Sequence, residues 1–210
     1  MGLMESRISK FSVCPTRRGA FIIRLDYGTN MAMSHDRGRR VKPPLDLAGL
    51  EQTALFYAGR YATTRAKLAA YLSRKVRERG WAEPRSPPIE ALVEKMAGLG
   101  YVDDRAFANA RAGALTRRGY GARRVGEALR AAGIGEEDGA EARETAEAAA
   151  WEAALRFAER RKIGPFAAAE ADRPSREKAC AAMLRAGHPP AVVRRIVAAK
   201  PGEIPLADTC

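Results

Sequence analysis

The chain has 210 residues, 46% of them hydrophobic, with 37 Lys/Arg against 25 Asp/Glu and a formal net charge of +12. Its three cysteines, at positions 14, 180 and 210, form no CxxC pair, which argues against a disulfide framework or a zinc site and fits a reducing, cytoplasmic setting. No apolar run approaches the roughly 20 residues of a membrane span, and the stretch 20–23, interrupted by Arg24, is shorter than the roughly 7–15-residue core of a signal peptide.

The charge is unevenly spread. Residues 1–45 hold 9 Lys/Arg against 3 Asp/Glu, residues 46–135 hold 16 against 9, and residues 136–210 hold 12 against 13. The excess therefore lies in the first two thirds, as expected of a protein that meets polyanions or acidic protein surfaces. A merely solvated basic surface is the plainer reading of the same numbers. The two histidines, His35 and His188, add no ligand cluster, so neither a metal nor a cofactor is expected.

Residues 1–45 show no sustained period. Phe21-Ile22-Ile23-Arg24-Leu25 reads as a short strand without a partner, and Pro43-Pro44 closes a segment expected to be disordered. Met31 and Met33 are candidates, beside Met1, for the translation start. From Asp46 the pattern is helical nearly throughout, predicting an all-α protein.

The predicted helices recur in groups of three. The first helix of each group covers Asp46–Tyr61, Asp104–Arg118 and roughly Trp151–Lys162. The second helix carries an i, i+3, i+4, i+7 face: Leu68, Tyr71 and Leu72, with Lys75 in the fourth place, then Val125, Ala128, Leu129 and Ala132, then Ala179, Ala182, Met183 and Ala186. Thr64, Gly121 and Ser175 stand four residues before each face as candidate caps. Gly80, Gly133 and Gly187 stand after each helix as terminators. The first of these helices reaches its glycine about one turn later than the others. The third helices cover Ile89–Ala97, roughly Glu136–Ala150 and Pro190–Ala199. Residues 140–162 contain no Pro or Gly and also read as one unbroken helix. The expected organisation is three repeats at 46–98, 99–150 and 151–200 in an elongated array, followed by a tail at 201–210. A three-helix unit this short buries too little apolar surface alone, so neighbours must stack.

The most specific stretch runs from Leu99-Gly100-Tyr101-Val102-Asp103-Asp104 through Phe107-Ala108. It continues at Arg117-Arg118-Gly119-Tyr120-Gly121 and ends at Leu129 and Gly133-Ile134. Asp103 or Asp104 is suited to cap the following helix, with direct contact to a partner as the alternative. Tyr101 and Phe107 are expected in the core. Gly119 and Gly121 supply a tight turn and are no phosphate loop, because neither a preceding strand nor a Gly-Lys-Ser/Thr accompanies them. The paired carboxylates lack a third acid, a histidine or a nucleophile at a useful spacing, so catalysis is not expected.

Residues 60–79 carry seven Lys/Arg against Glu78, and residues 105–130 carry seven against Glu127. A basic stripe of Arg65, Lys67, Arg74, Lys75, Arg111, Arg117, Arg118, Arg123, Arg124 and Arg130 is the candidate binding surface, since guanidinium forks suit carboxylates and phosphates.

The stretch at 99–134 resembles the signature of the RecX family: Gly-Tyr-hydrophobic-Asp-Asp, Phe-Ala, a basic Gly-aromatic-Gly turn and a helix ending in Gly-Ile. The resemblance extends in layout over about residues 46–199. It is weaker in the third repeat, where the loop 164–174 departs from the pattern. It implies a monomeric, non-enzymatic regulator that binds the RecA filament on DNA, lies in its groove and restrains ATPase, strand exchange and coprotease activity. The basic stripe is then expected to meet acidic RecA surface, DNA phosphates, or both. The rival reading is a direct DNA binder of helix-turn-helix type, with the helix at 123–132 following a glycine turn. That helix offers few Asn, Gln, Ser or Thr side chains for reading bases.

Overall fold

The structure, a computed structural model, describes residues 42–207. The expected disorder of residues 1–41, the strand at 21–25, the alternative starts and tail residues 208–210 lie outside the described residues. Among the described residues the secondary structure is helical throughout, apart from one isolated bridge between Leu45 and Trp81. The helices are α1 Leu47–Arg60, α2 Arg65–Arg79, α3 Ile89–Gly98, α4 Asp104–Arg117, α5 Ala122–Ala131, α6 Glu136–Ala148, α7 Ala150–Arg161, α8 Arg173–Arg185 and α9 Pro190–Ala198. A short 3₁₀ turn at Gly164–Phe166 separates α7 from α8.

The helix ends follow from local chemistry. Asp46, Thr64 and Asp103 each accept a hydrogen bond from a first-turn N–H, those of Gly49, Lys67 and Ala106, satisfying donors that a helix leaves unpaired. At α8 the expectation fails. The helix begins at Arg173 with Asp172 as its cap, and Ser175 is the donor to that cap. Pro174 fits in the first turn, where its missing N–H costs nothing. Residues 136–161 form two helices, with the break at Ala149.

The core lies in three clusters. Leu50, Ala54, Leu68, Leu72, Leu92, Val93 and Met96 join α1, α2 and α3. Ala108, Ala112, Leu115, Val125, Leu129, Ala142 and Ala146 join α4, α5 and α6. Ala154, Phe157, Ala158, Met183, Val193, Ile196 and Val197 join α7, α8 and α9. Each large aliphatic side chain so buried stabilises by roughly 1.5–3 kcal/mol. In the second cluster the facing positions of α4 and α6 are alanines, which bring those helices close.

Leu45, assigned from sequence to the N-terminal segment, is buried against the first cluster. Its N–H donates to Gly80 O at 3.0 Å and its carbonyl accepts from Ala82 N at 2.9 Å, while Arg79 holds Pro43 O. The packed body therefore begins before Asp46.

Two junctions connect the clusters in the same way: the start of one second helix meets the end of the next. At the first, Thr64 Oγ1 donates to Ala132 O at 2.7 Å, and Gly133 sits where an added Cβ would lie 2.2 Å from Ala66 Cβ. At the second, Gly121 N donates to Ala186 O at 2.9 Å, and a Cβ on Gly121 would lie 2.3 Å from Gly187 O. Gly187 has φ +92°, a left-handed conformation that disfavours side chains.

Candidate partner-binding cleft

The signature stretch builds the first junction. Asp103 caps its own helix through Ala106 N–H at 2.8 Å. Asp104 does something the sequence did not reveal: it is buried, and its Oδ1 accepts from Arg65 N–H at 2.9 Å. It thus caps α2, the helix of the preceding group, across 39 residues of chain. The Arg65 side chain lies between Glu94 at 3.6 Å and Asp138 at 3.8 Å, so this arginine of the predicted stripe serves the junction.

Tyr101 corrects the sequence reading. It is 49% exposed and does not fill the core, because it follows Gly100 in the turn that ends α3 and Val102 takes the buried place. Phe107 is half-buried, packed on the second cluster, and Lys67 Nζ lies over its ring at 4.5 Å. Gly119 and Gly121 form the expected turn and also let the next helices approach. A Cβ at Gly119 would lie 2.9 Å from Phe157 N.

Four of the ten predicted cations converge. Lys67 from α2, Arg111 from α4, Arg118 at the end of α4 and Arg124 from α5 line one concavity of about 560 Å³. Leu115, Tyr120 and Ala128 contribute apolar wall, and Glu127 is the acid that lines it. Arg118 stacks on Tyr120, with Cζ 5.5 Å from the ring centre. Arg124 Nη1 lies 3.3 Å from Glu127 Oε2. Arg111 has no ion pair among the described residues. Four cations against one carboxylate beside an aromatic ring make a surface suited to carboxylates or phosphates, since guanidinium groups bind both in forked geometry.

The other six cations lie elsewhere. Arg74 and Lys75 pair with Glu78 at 3.6 and 2.6 Å and lie over Tyr71. Arg123 Nη2 donates to Leu184 O at 2.6 Å, holding the end of α8. Arg117 and Arg130 are exposed outside the cleft, and Arg65 is at the junction.

Sequence reasoning gave His188 no role. It is buried at the second junction, with Nε2 3.2 Å from Gly119 O and its ring edge-on to Phe157. Burial holds its pKa below the usual 6.5, opposed by the Gly119 carbonyl, and Nδ1 has no partner. Its position after Gly187, matching Ile134 after Gly133, was the available signal. No group of His, Cys, Asp and Glu among the described residues is arranged to hold a metal, and no helix there is long and apolar enough to cross a membrane.

No family model matches the sequence. A relative called "Regulatory protein RecX", from Myxococcus xanthus (strain DK1622), is 32% identical over 176 residues, covering 79% of this chain and 90% of the relative. The fold is similar to the crystal structure of RecX from Lactobacillus salivarius, with TM-score 0.53 and 15% identity over 72% of this chain and 94% of that one. It is equally similar to a second crystal structure, of regulatory protein RecX, with TM-score 0.53 and 21% identity over 71% and 72%. At those identities the two structures speak for the fold alone, and they agree with the all-helical reading. Identity at this level over most of both sequences settles the lineage: the chain belongs to the RecX family of regulatory proteins.

Proposed function

We propose that this protein is a non-catalytic negative modulator of RecA, lying in the groove of the RecA–DNA filament and limiting its ATPase, strand exchange and coprotease activity. The observation that carries the reading is the meeting of Lys67, Arg111, Arg118 and Arg124 in one concavity against a single lining acid, Glu127. Those residues come from two of the three helix groups, so the cleft exists only when the groups are stacked. The proposed organisation is three repeats, each contributing weak contacts that add as avidity along a repetitive partner.

A helix-turn-helix mode fits less well. A recognition helix reads bases with its N-terminal residues, but the start of α5 is covered by the end of α8 at Gly187. Contact with DNA, where it occurs, is then through phosphate. Binding to single strands should weaken with salt by a log–log slope of about −0.7 per phosphate neutralised.

The test is RecA's DNA-dependent ATPase with and without the full chain. Added protein should lower the rate in proportion to its occupancy of the filament. An unchanged rate with demonstrably folded protein, at concentrations exceeding RecA, would remove the proposal.

A further inference from the structure

A second concavity, of about 550 Å³, opens beside the loop between α7 and α8. That volume falls within the roughly 300–1,000 Å³ of ligand pockets. Its apolar wall includes Ile163, Ala179, Ala182 and Val197, and around these stand Lys162, Arg176, Lys178 and Lys200, with Glu170 as the lining acid. Lys162, Lys178 and Lys200 have no ion pair among the described residues, whereas α2 and α5 carry Arg and Lys paired with Glu78 and Glu127.

Lys162 is held there against its backbone preference. It sits at φ 55°, ψ 50° at the end of α7, the non-glycine with positive φ among the described residues. The ends of α3, α4, α5 and α8 place Gly100, Gly119, Gly133 and Gly187 at positive φ. A lysine in a strained position that glycine fills elsewhere points to use of its side chain.

The surroundings indicate what would fill the space. At both junctions the start of a second helix meets main-chain carbonyls at the end of another helix, Ala132 O and Ala186 O, the negative end of its dipole. The first turns of α8, residues 173–178, are exposed, and the space beside them is lined by cations.

We propose that this concavity is a docking site for an acidic helical segment of a partner protein, its carboxylates and carbonyl end meeting Lys162, Lys178 and Lys200 and one aliphatic side chain resting on Ala179 and Ala182. The site is separate from the Arg118–Arg124 cleft and does not depend on its role.

The probe is a fluorescein-labelled peptide of about four helical turns built from Glu, Ala and Leu, with a twin in which every Glu is Gln. Anisotropy titrations of the full chain should show the Glu peptide binding at least about tenfold tighter than the twin. Lys178→Glu with Lys200→Glu should reduce that binding about tenfold at unchanged melting temperature. Lys162→Gly should weaken binding while raising the melting temperature, a pairing that a purely structural lysine would not give. Arg118→Glu with Arg124→Glu should leave peptide binding as in the wild type. Equal binding of the two peptides, no effect of the Lys178/Lys200 reversal, or loss confined to the Arg118/Arg124 variant would each overturn the site. So would displacement of the peptide by a single-stranded oligonucleotide but not by unlabelled peptide.

Discussion

The two junctions solve one geometric problem with different chemistry. At the first, side chains do the joining: Asp104 reaches across to cap α2, Thr64 Oγ1 donates to Ala132 O, and Arg65 spans Glu94 and Asp138. At the second, the closest contact is backbone on backbone, with Gly121 against Gly187, one buried imidazole beside them and Arg123 donating to Leu184 O. The side-chain bonds of the first junction tolerate conservative exchange, because a similar oxygen restores the bond. The main-chain approach of Gly121 to Gly187 tolerates none, because an added Cβ meets main-chain atoms. The side-chain junction borders the basic cleft through Lys67 and Ala132.

The largest effect should come from the second junction. A Cβ on Gly121 would meet Gly187 O at 2.3 Å and His188 N at 2.7 Å. Both are main-chain atoms that cannot turn aside. Gly121→Ala should therefore cost about 3 kcal/mol, at or beyond the top of the usual overpacking range, in chemical denaturation. A loss under about 1 kcal/mol would mean that the helices separate easily and that the comparison is wrong.

Phe107 comes next. A fully buried Phe→Ala costs about 3–5 kcal/mol, but this ring is half-buried and partly covered by Lys67. Phe107→Ala should cost roughly 2 kcal/mol and loosen the cleft wall on the α2 side. At Asp104 the distinction is sharper. Asp104→Ala leaves Arg65 N–H without its acceptor and should cost about 1–2 kcal/mol, the upper part of the range for a lost cap. Asp104→Asn keeps an oxygen in place and should cost only a few tenths. An Asn variant as unstable as the Ala variant would show that the charge, and not the hydrogen bond, holds the first junction.

The smallest effect is a pH dependence at the second junction. Burial holds the pKa of His188 in the folded protein below that of the unfolded chain, which titrates near the ordinary 6.5. Its contribution to stability is then complete above about pH 6.5 and is lost as pH falls, since the unfolded state takes up the proton first. His188→Ile, copying Ile134 at the first junction, should flatten the fall in melting temperature between about pH 7 and pH 5. An identical pH profile in the two proteins would remove His188 from that role.

What the sequence made legible was local. Thr64 as a cap, the buried positions Leu68, Leu72, Val125 and Leu129, and the glycine ends of α2, α5 and α8 depend on neighbours within a turn or two. Contacts across the junctions were not legible. The pairing of Asp104 with Arg65 spans 39 residues, and a carboxylate at the start of α4 looks the same in sequence whichever helix it caps. Ser175 looked like a cap because α8 starts earlier than the pattern of α2 and α5 suggested. Ten cations could be counted along the chain. Which four meet depends on how α2 lies against α4 and α5, a relation that periodicity within a helix does not carry.

The central claim is that the cleft, and not basic charge in general, engages the RecA filament. It is tested most directly by comparing two variants with equal charge loss in the RecA ATPase assay. One replaces Lys67, Arg111, Arg118 and Arg124 by Ala. The other replaces Arg74, Lys75, Arg117 and Arg130, which lie outside the cleft. Inhibition should be lost in the first and kept in the second, with both proteins fully helical. Equal inhibition by both, or equal loss in both, would contradict the account.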